Sequence, residues 1–408
     1  MASAKPPFIM TGDPGSYAMR TITERKPRII ADVIESNSLD DTARRRLESL
    51  RDQIRDGAID DPLSAAPPGA LAPAERAAWQ EEIRRHAGRG WLEIPWYFAE
   101  AFFYLKLLLA FGYYENGVDP FQSLKDRELF APDGGLARAR RTAAAVRALE
   151  EPSEALRLLL HAALWGNRVD LSNFDVTPEA RHGMLSSDAE NLLIDHTAKL
   201  VDVLRRARRV DVILDNCGPE LACDLLLAEF LLRSRSEVSV VLHVKQSPFF
   251  VSDAMEKDVL STTAAFAADS EQSLGNAGHD LERALASGRL QVAPHFFWNG
   301  PLHFTRLPPE IATALSESDI VVVKGDANYR RLLEDRKWPF DASLCKITSY
   351  FPATFAVLRT LKAELVVDVP LRTARDLSRA DPDWLINGKR GIVQVCGYRS
   401  GSLRRSAG

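Results

Sequence analysis

Three oxygen-bearing side chains carry the chemistry most open to this sequence. Asp215 and Asn216 follow the short apolar run Val210–Leu214, and Asp253 lies beyond a second run, Val238–Val244. Two carboxylates and an amide oxygen make a hard, oxygen-only donor set suited to a magnesium- or manganese-type ion. Glu220 follows Pro219, where a helix start leaves backbone amides unpaired and attractive to an anion. A cation beside such amides points to chemistry on a phosphate ester. An Asp-Asn pair after a strand also reads as an ordinary turn or helix cap, so the pair alone decides nothing.

The elements around these residues have a consistent pattern. Both apolar runs are short, rich in Val, Ile and Leu, and end abruptly in polar residues, as buried parallel strands do. Between them Leu221, Leu225, Ala228 and Leu232 recur on one helical face. In open α/β sheets ligands bind beyond the carboxyl ends of strands, where Asp215, Asn216 and Asp253 fall. Further strands are expected at Leu290–Ala293, Ile320–Val323, Leu365–Val369 and Ile392–Val395, alternating with helical stretches. That alternation predicts an α/β fold with a mostly parallel sheet and helices on both faces.

Cations flank these strands. Lys245 ends the second run. Lys324-Gly-Asp-Ala-Asn-Tyr-Arg330 leaves a buried strand through a glycine turn; Gly325 permits close backbone approach, and Asn328 and Arg330 suit sugar hydroxyls and phosphate. Arg359 and Lys362 are three apart, on one face of an expected helix. A solvated loop and a surface pair of charges are the alternative readings.

Residues 1–205 read as a mainly helical N-terminal subdomain and 206–408 as the α/β core. Helices are expected at Ala43–Arg55, Ala74–His86, Leu136–Leu149, Glu154–Trp165 and Leu192–Arg206, and the aromatic stretch Trp91–Tyr114 reads as core. Gly166 is expected to stop the fourth of these helices in a left-handed conformation. Asn167 and Asp170 beyond it read as turn formers that also have the chemistry to reach a site.

At 408 residues the chain exceeds one ordinary core, and its net charge of −4 argues against a nucleic-acid surface. The most apolar segment, Ala101–Tyr114, carries Lys106 and is too short to span a bilayer. The start lacks an apolar signal core, and the four cysteines form no C-x-x-C pair. Neither a zinc site nor a disulfide is therefore expected, and a cytoplasmic location is. The oligomeric state stays open.

Several stretches together resemble a known family, the metal-dependent damage-control phosphatases, in the branch described as protein-glutamate methyltransferase-like. They are Gly15-Ser-Tyr-Ala-Met-Arg-Thr-Ile-Thr-Glu-Arg-Lys-Pro27, Trp91–Tyr104 with Asp119-Pro-Phe, and Leu164-Trp-Gly-Asn-Arg-Val-Asp-Leu-Ser172. Asp215-Asn-Cys-Gly-Pro-Glu220, Lys324–Arg330, Asp335-Arg-Lys-Trp338 and Arg359-Thr-Leu-Lys362 complete the set. The resemblance implies a Rossmann-like α/β/α core and a divalent metal (manganese, magnesium, cobalt or nickel) on Asp215, Asn216 and Asp253. It implies that Asp326, Ala327, Asn328, Tyr329, Arg330 and Lys362 bind a small phosphorylated substrate such as a hexose phosphate. Leu105 departs from the pattern, standing where an arginine is expected. The expected reaction is phosphomonoester hydrolysis, with Asp253 and Asp215 catalytic and Lys324, Lys362 and Arg330 neutralising phosphate. Two alternatives remain. One is an S-adenosylmethionine-dependent methyltransferase with Glu220 near that cofactor, against which Pro219 counts by removing a donor. The other is a non-catalytic metabolite-binding protein.

Overall fold

A computed structural model describes residues 5–166 and 191–397, so Asn167 and Asp170 lie outside the described residues. Helices of seven or more residues are numbered. In the first half a π-helix, Thr21–Arg25, runs directly into α1 (Lys26–Ser36), followed by α2 (Asp41–Asp56) and α3 (Pro73–His86). Then come α4 (Trp96–Phe111), α5 (Gln122–Phe130), α6 (Gly135–Arg147) and α7 (Pro152–Leu164). Helix α4 is apolar around its whole circumference and buried along most of its length, as such a helix must be. Helices α1 to α4 share one apolar cluster around it.

The second half begins with β1 (Leu192–Asp195) and α8 (Thr197–Leu204), where a single helix was expected over Leu192–Arg206. The start, Leu-Leu-Ile-Asp, is claimed by pairing with the last strand, which sequence periodicity does not show. The chain continues through β2 (Arg209–Ile213), α9 (Pro219–Ser234), β3 (Ser239–Lys245), α10 (Glu256–Ala267) and α11 (Gln272–Ala286). After β4 (Leu290–His295) come α12 (Pro309–Ser316), β5 (Ile320–Lys324), α13 (Asp326–Leu332), β6 (Phe355–Thr360), α14 (Leu371–Ala380) and β7 (Gly391–Cys396).

The seven strands are ordered β1-β7-β6-β5-β2-β3-β4, parallel except for β6 against β7. One face carries α6 to α11 in a continuous apolar cluster; the other carries α13, α14 and the aromatic segment at Phe297 and Trp298. The expected α/β/α architecture with a mostly parallel sheet is present. The chain moves from β2 outward to β3 and β4, then returns to the other side of β2 with β5. That reversal opens a crevice at the carboxyl ends of β2 and β5.

Four other expectations are corrected. Leu365–Val369 is not a strand but a buried irregular segment; Val367 N–H finds the Tyr329 hydroxyl and Asp368 and Val369 N–H find the carbonyls of Ala342 and Phe340. The strand lies just upstream, so Arg359 lies within β6, next to its last residue, rather than sharing a helix with Lys362. Cys345 and Cys396 form a disulfide, joining residues far apart in sequence that no local spacing rule pairs. Gly166 is not left-handed; it is small because a Cβ there would stand 2.6 Å from Glu220 Cα. No helix among the described residues is long and apolar enough to cross a membrane.

Candidate active site

Four strand ends build one pocket. Asp215 and Asn216 leave β2, the loop after β3 brings Asp253, Gly325–Ala327 leave β5, and Thr360 and Lys362 leave β6. The pocket, about 750 Å³ out to open solvent, is closed on its other side by Tyr17, Arg25, Trp96 and Glu100 from the N-terminal helices and by Phe250.

Asp253 is placed by an unusual loop. Phe250 and Val251 adopt φ of 43° and 71°, left-handed values that are a genuine outlier for β-branched valine. Packing holds the loop there, since Phe249 and Phe250 lie against Tyr104 at 5.3 and 5.2 Å between ring centroids. Cys217 N–H donates to Ser252 O at 2.7 Å and Ala254 N–H to Asp215 O at 2.8 Å, so the two segments are stitched side by side. Asn216 and Asp253 face each other as an isolated antiparallel bridge. Residues held strained by their surroundings cluster at functional sites.

The acid groups are crowded. Asp215, Glu220 and Asp253 line one pocket, and burial first, then Glu220 and Asp253, push the Asp215 carboxyl well above its ordinary range. Burial also raises Asp253, outweighing Lys245. Lys245 Nζ pairs with Asp253 Oδ2 at 3.1 Å, so the carboxylate keeps one buried cation beside it. Gly325, at φ 84°, is indispensable to this crowding, since a Cβ there would sit 2.1 Å from the Asp215 carboxylate.

A cation fits the arrangement. Asn216 Nδ2 donates to Asp215 Oδ2 at 2.8 Å and to Glu220 Oε2 at 3.2 Å, while its Oδ1 accepts from the Ser252 hydroxyl at 2.8 Å. The amide thus turns its positive pole to two of the three carboxylates, Asp215 and Glu220. Turning it over would aim its oxygen at the carboxylates and its NH2 at a serine hydroxyl able to accept, which is what a bound ion requires. The set is two aspartates and an amide; among the described residues no cluster of three His, Cys, Asp or Glu side chains is gathered as a metal site.

Other expected residues divide by where their charge goes. Lys362 and Asp326 line the pocket, and Lys362 N–H donates to Asp326 Oδ1 at 3.1 Å. Arg330 also lines it but is spent on Asp335, through two 2.8 Å bonds, and on Glu100 at 2.5 Å, with its guanidinium 3.4 Å over Trp96. Lys324 is buried beneath the site, 2.9 Å from Asp224 and 3.2 Å from Glu220, and does not reach the pocket. Its expected contact with phosphate is corrected accordingly. Asn328 bonds to the carbonyls of Lys324 and Leu214, and Tyr329 packs under Arg359 at 4.3 Å, so both support the loop from below. Arg359 grips Asp326 and the carbonyls of Ala363 and Leu365, shaping the loop that presents Lys362. Arg25, Trp96, Glu100, Tyr17, Phe250 and Thr360 received no site role from the sequence. Trp96 and Glu100 sit in a stretch whose apolar bulk reads as core, and only tertiary packing turns one edge of it towards the pocket.

Comparison with known proteins shows the family. The profile of the "Damage-control phosphatase ARMT1-like domain" family matches residues 21–377. The chain belongs to this family. It is therefore a damage-control phosphatase, a hydrolase. A relative named "Damage-control phosphatase ARMT1" from Mus musculus is 29% identical over 444 aligned positions, covering 96% of this chain and 99% of that one. The protein of the same name from Danio rerio is 28% identical, covering 93% and 94%. A solved structure of a DUF89 family protein from Pyrococcus horikoshii, 17% identical, aligns over 92% of this chain and 96% of that chain with a TM-score of 0.47.

Proposed function

We propose that the chain hydrolyses small phosphomonoesters with a divalent metal held by Asp215, Asn216 and Asp253. One observation carries the reading: a crowd of buried carboxylates at the switch point of the sheet beside Lys362, which has no carboxylate partner of its own among the described residues. Without a cation there, burial and mutual repulsion make the arrangement costly. A bound divalent ion would supply charge for a phosphoryl oxygen and acidify a water molecule. Asp253 orients that water and accepts its proton. Lys362 neutralises phosphate charge that shifts during bond breaking, and Asp326 with Arg359 fixes the loop that positions it.

The pocket wall favours an ester with one phosphate on an uncharged polyol, the class of the hexose phosphates. Five carboxylates against three cations leave no spare positive charge for a second anionic group. Asp326 and Thr360 on the pocket wall offer partners to hydroxyls. A methyltransferase reading gains nothing here, because Glu220 is committed to Asn216 and Lys324.

A screen of phosphate esters against manganese, magnesium, cobalt and nickel tests the proposal. Inorganic phosphate release that chelator abolishes is expected. Turnover that survives exhaustive chelation rules out the metal, and no turnover with any pair rules out the substrate class.

A further inference from the structure

Charge matching around the pocket singles out Arg25. Almost every cation near the site already has a carboxylate: Lys26 has Glu100 at 2.8 Å, Arg330 has Asp335 and Glu100, and Lys245 approaches Asp253 at 3.1 Å. Lys324 has Asp224 at 2.9 Å, and Arg359 has Asp326 at 2.7 Å. Lys362 and Arg25, both on the pocket wall, are the exceptions, with no carboxylate oxygen within 4.0 Å among the described residues.

Arg25 is also placed as a structural arginine would not be. It ends the π-helix Thr21–Arg25, a rare geometry concentrated at functional sites. Its neighbour Lys26 is fully buried, yet Arg25 remains exposed. Its hydrogen-bond partner is the Tyr17 hydroxyl, while Tyr104 and the Glu100 carboxylate act on it from beyond ion-pair distance, so most of its five donors have no charged acceptor in contact. Arg331, by contrast, is buried and spends its guanidinium on the carbonyls of Phe297, Trp298 and Leu302.

We propose that Arg25 is a substrate-binding residue whose guanidinium grips the phosphate of the ester from the helical half while Lys362 meets it from the sheet. A planar fork of donors suits bidentate contact with a dianion, which a lysine cannot reproduce. The inference rests on the phosphatase reading and deepens it. The site is incomplete without the N-terminal helices, which supply one of its two unmatched cations.

The test uses the full chain with saturating manganese. For the parent, Arg25→Gln and Arg25→Lys, KM for the best ester and the inhibition constant of inorganic phosphate are measured. Arg25→Gln is expected to raise both at least tenfold, with the manganese concentration for half-maximal activity unchanged. Arg25→Lys should restore only part of the loss. Values within twofold of the parent in an active Arg25→Gln overturn the proposal. So does a matching loss of manganese affinity, which would mark a structural role. Should Arg25→Gln not fold, Arg25→Lys decides: an inhibition constant at least threefold weaker supports the fork, an unchanged one refutes it. Direct binding of inorganic phosphate, measured by calorimetry, separates this inference from the reading beneath it. A parent that hydrolyses nothing yet binds phosphate through Arg25 sinks the reading and keeps the inference.

Discussion

Asp253 and Gly325 are the residues on which the site turns, one by its charge and one by having no side chain. Asp253→Ala removes a buried carboxylate from the pocket wall, so phosphate release is expected to fall at least about a hundredfold, the usual effect of losing such a contact. Far-ultraviolet circular dichroism should match the parent. An active Asp253→Ala would remove this residue from the chemistry. Gly325→Ala places a methyl group against the Asp215 carboxylate at a backbone angle that alanine rarely adopts. Activity and melting temperature should both drop; a variant matching the parent in both would show that Asp215 has room to move and is not fixed by the turn after β5.

At the scale of elements, α3 carries a pH dependence of its own. Glu75 in its first turn is 2% exposed, Oε2 has no hydrogen-bond partner, and burial pushes its carboxyl up to about 7. In the unfolded chain the same carboxyl titrates near the ordinary value of about 4.3. Between those values the folded state keeps a proton that the unfolded state has released, so stability declines as pH rises through the window and stays lower above it. Glu75→Gln should therefore be near neutral at pH 4 and stabilising at pH 8, by up to about 3 kcal/mol. Chemical denaturation at the two pH values reads the difference, and equal midpoint shifts at both would refute the buried charge. The loop after β3 makes a complementary point. Its apolar residues look like a strand continuation, yet Phe250 and Val251 turn left-handed because aromatic packing with Tyr104 outweighs their backbone preference.

For the whole molecule, the disulfide and the site stand at opposite ends of the sheet. Cys396 pairs across from Phe355, the first residue of β6, whereas Thr360 at its far end enters the pocket, roughly 17 Å away at the usual rise per residue. Cys345 and Cys396 are 51 residues apart, and closing such a loop typically contributes about 2–4 kcal/mol. Reductant, or Cys345→Ser, should lower the melting temperature while leaving kcat at room temperature unchanged. A fall in kcat without a change in melting would place the bond in the catalytic machinery instead.

What the sequence determined by itself was local. Short apolar runs that end in polar residues located β2, β3 and β5, and the turns after them located Asp215, Asn216, Gly325 and Asp326, because a strand end and its turn are written in adjacent residues. The run Leu365–Val369 shows the limit, since burial without pairing looks the same in sequence as a buried strand. Charge partnership was decided only by the tertiary structure. Arg330 meets Glu100 across 230 residues and Lys324 meets Asp224 across 100, so two of the expected phosphate ligands are largely committed elsewhere, while Arg25 is left unmatched. A cation binds whichever carboxylate the fold brings within a few ångströms, and no spacing along the chain encodes that distance.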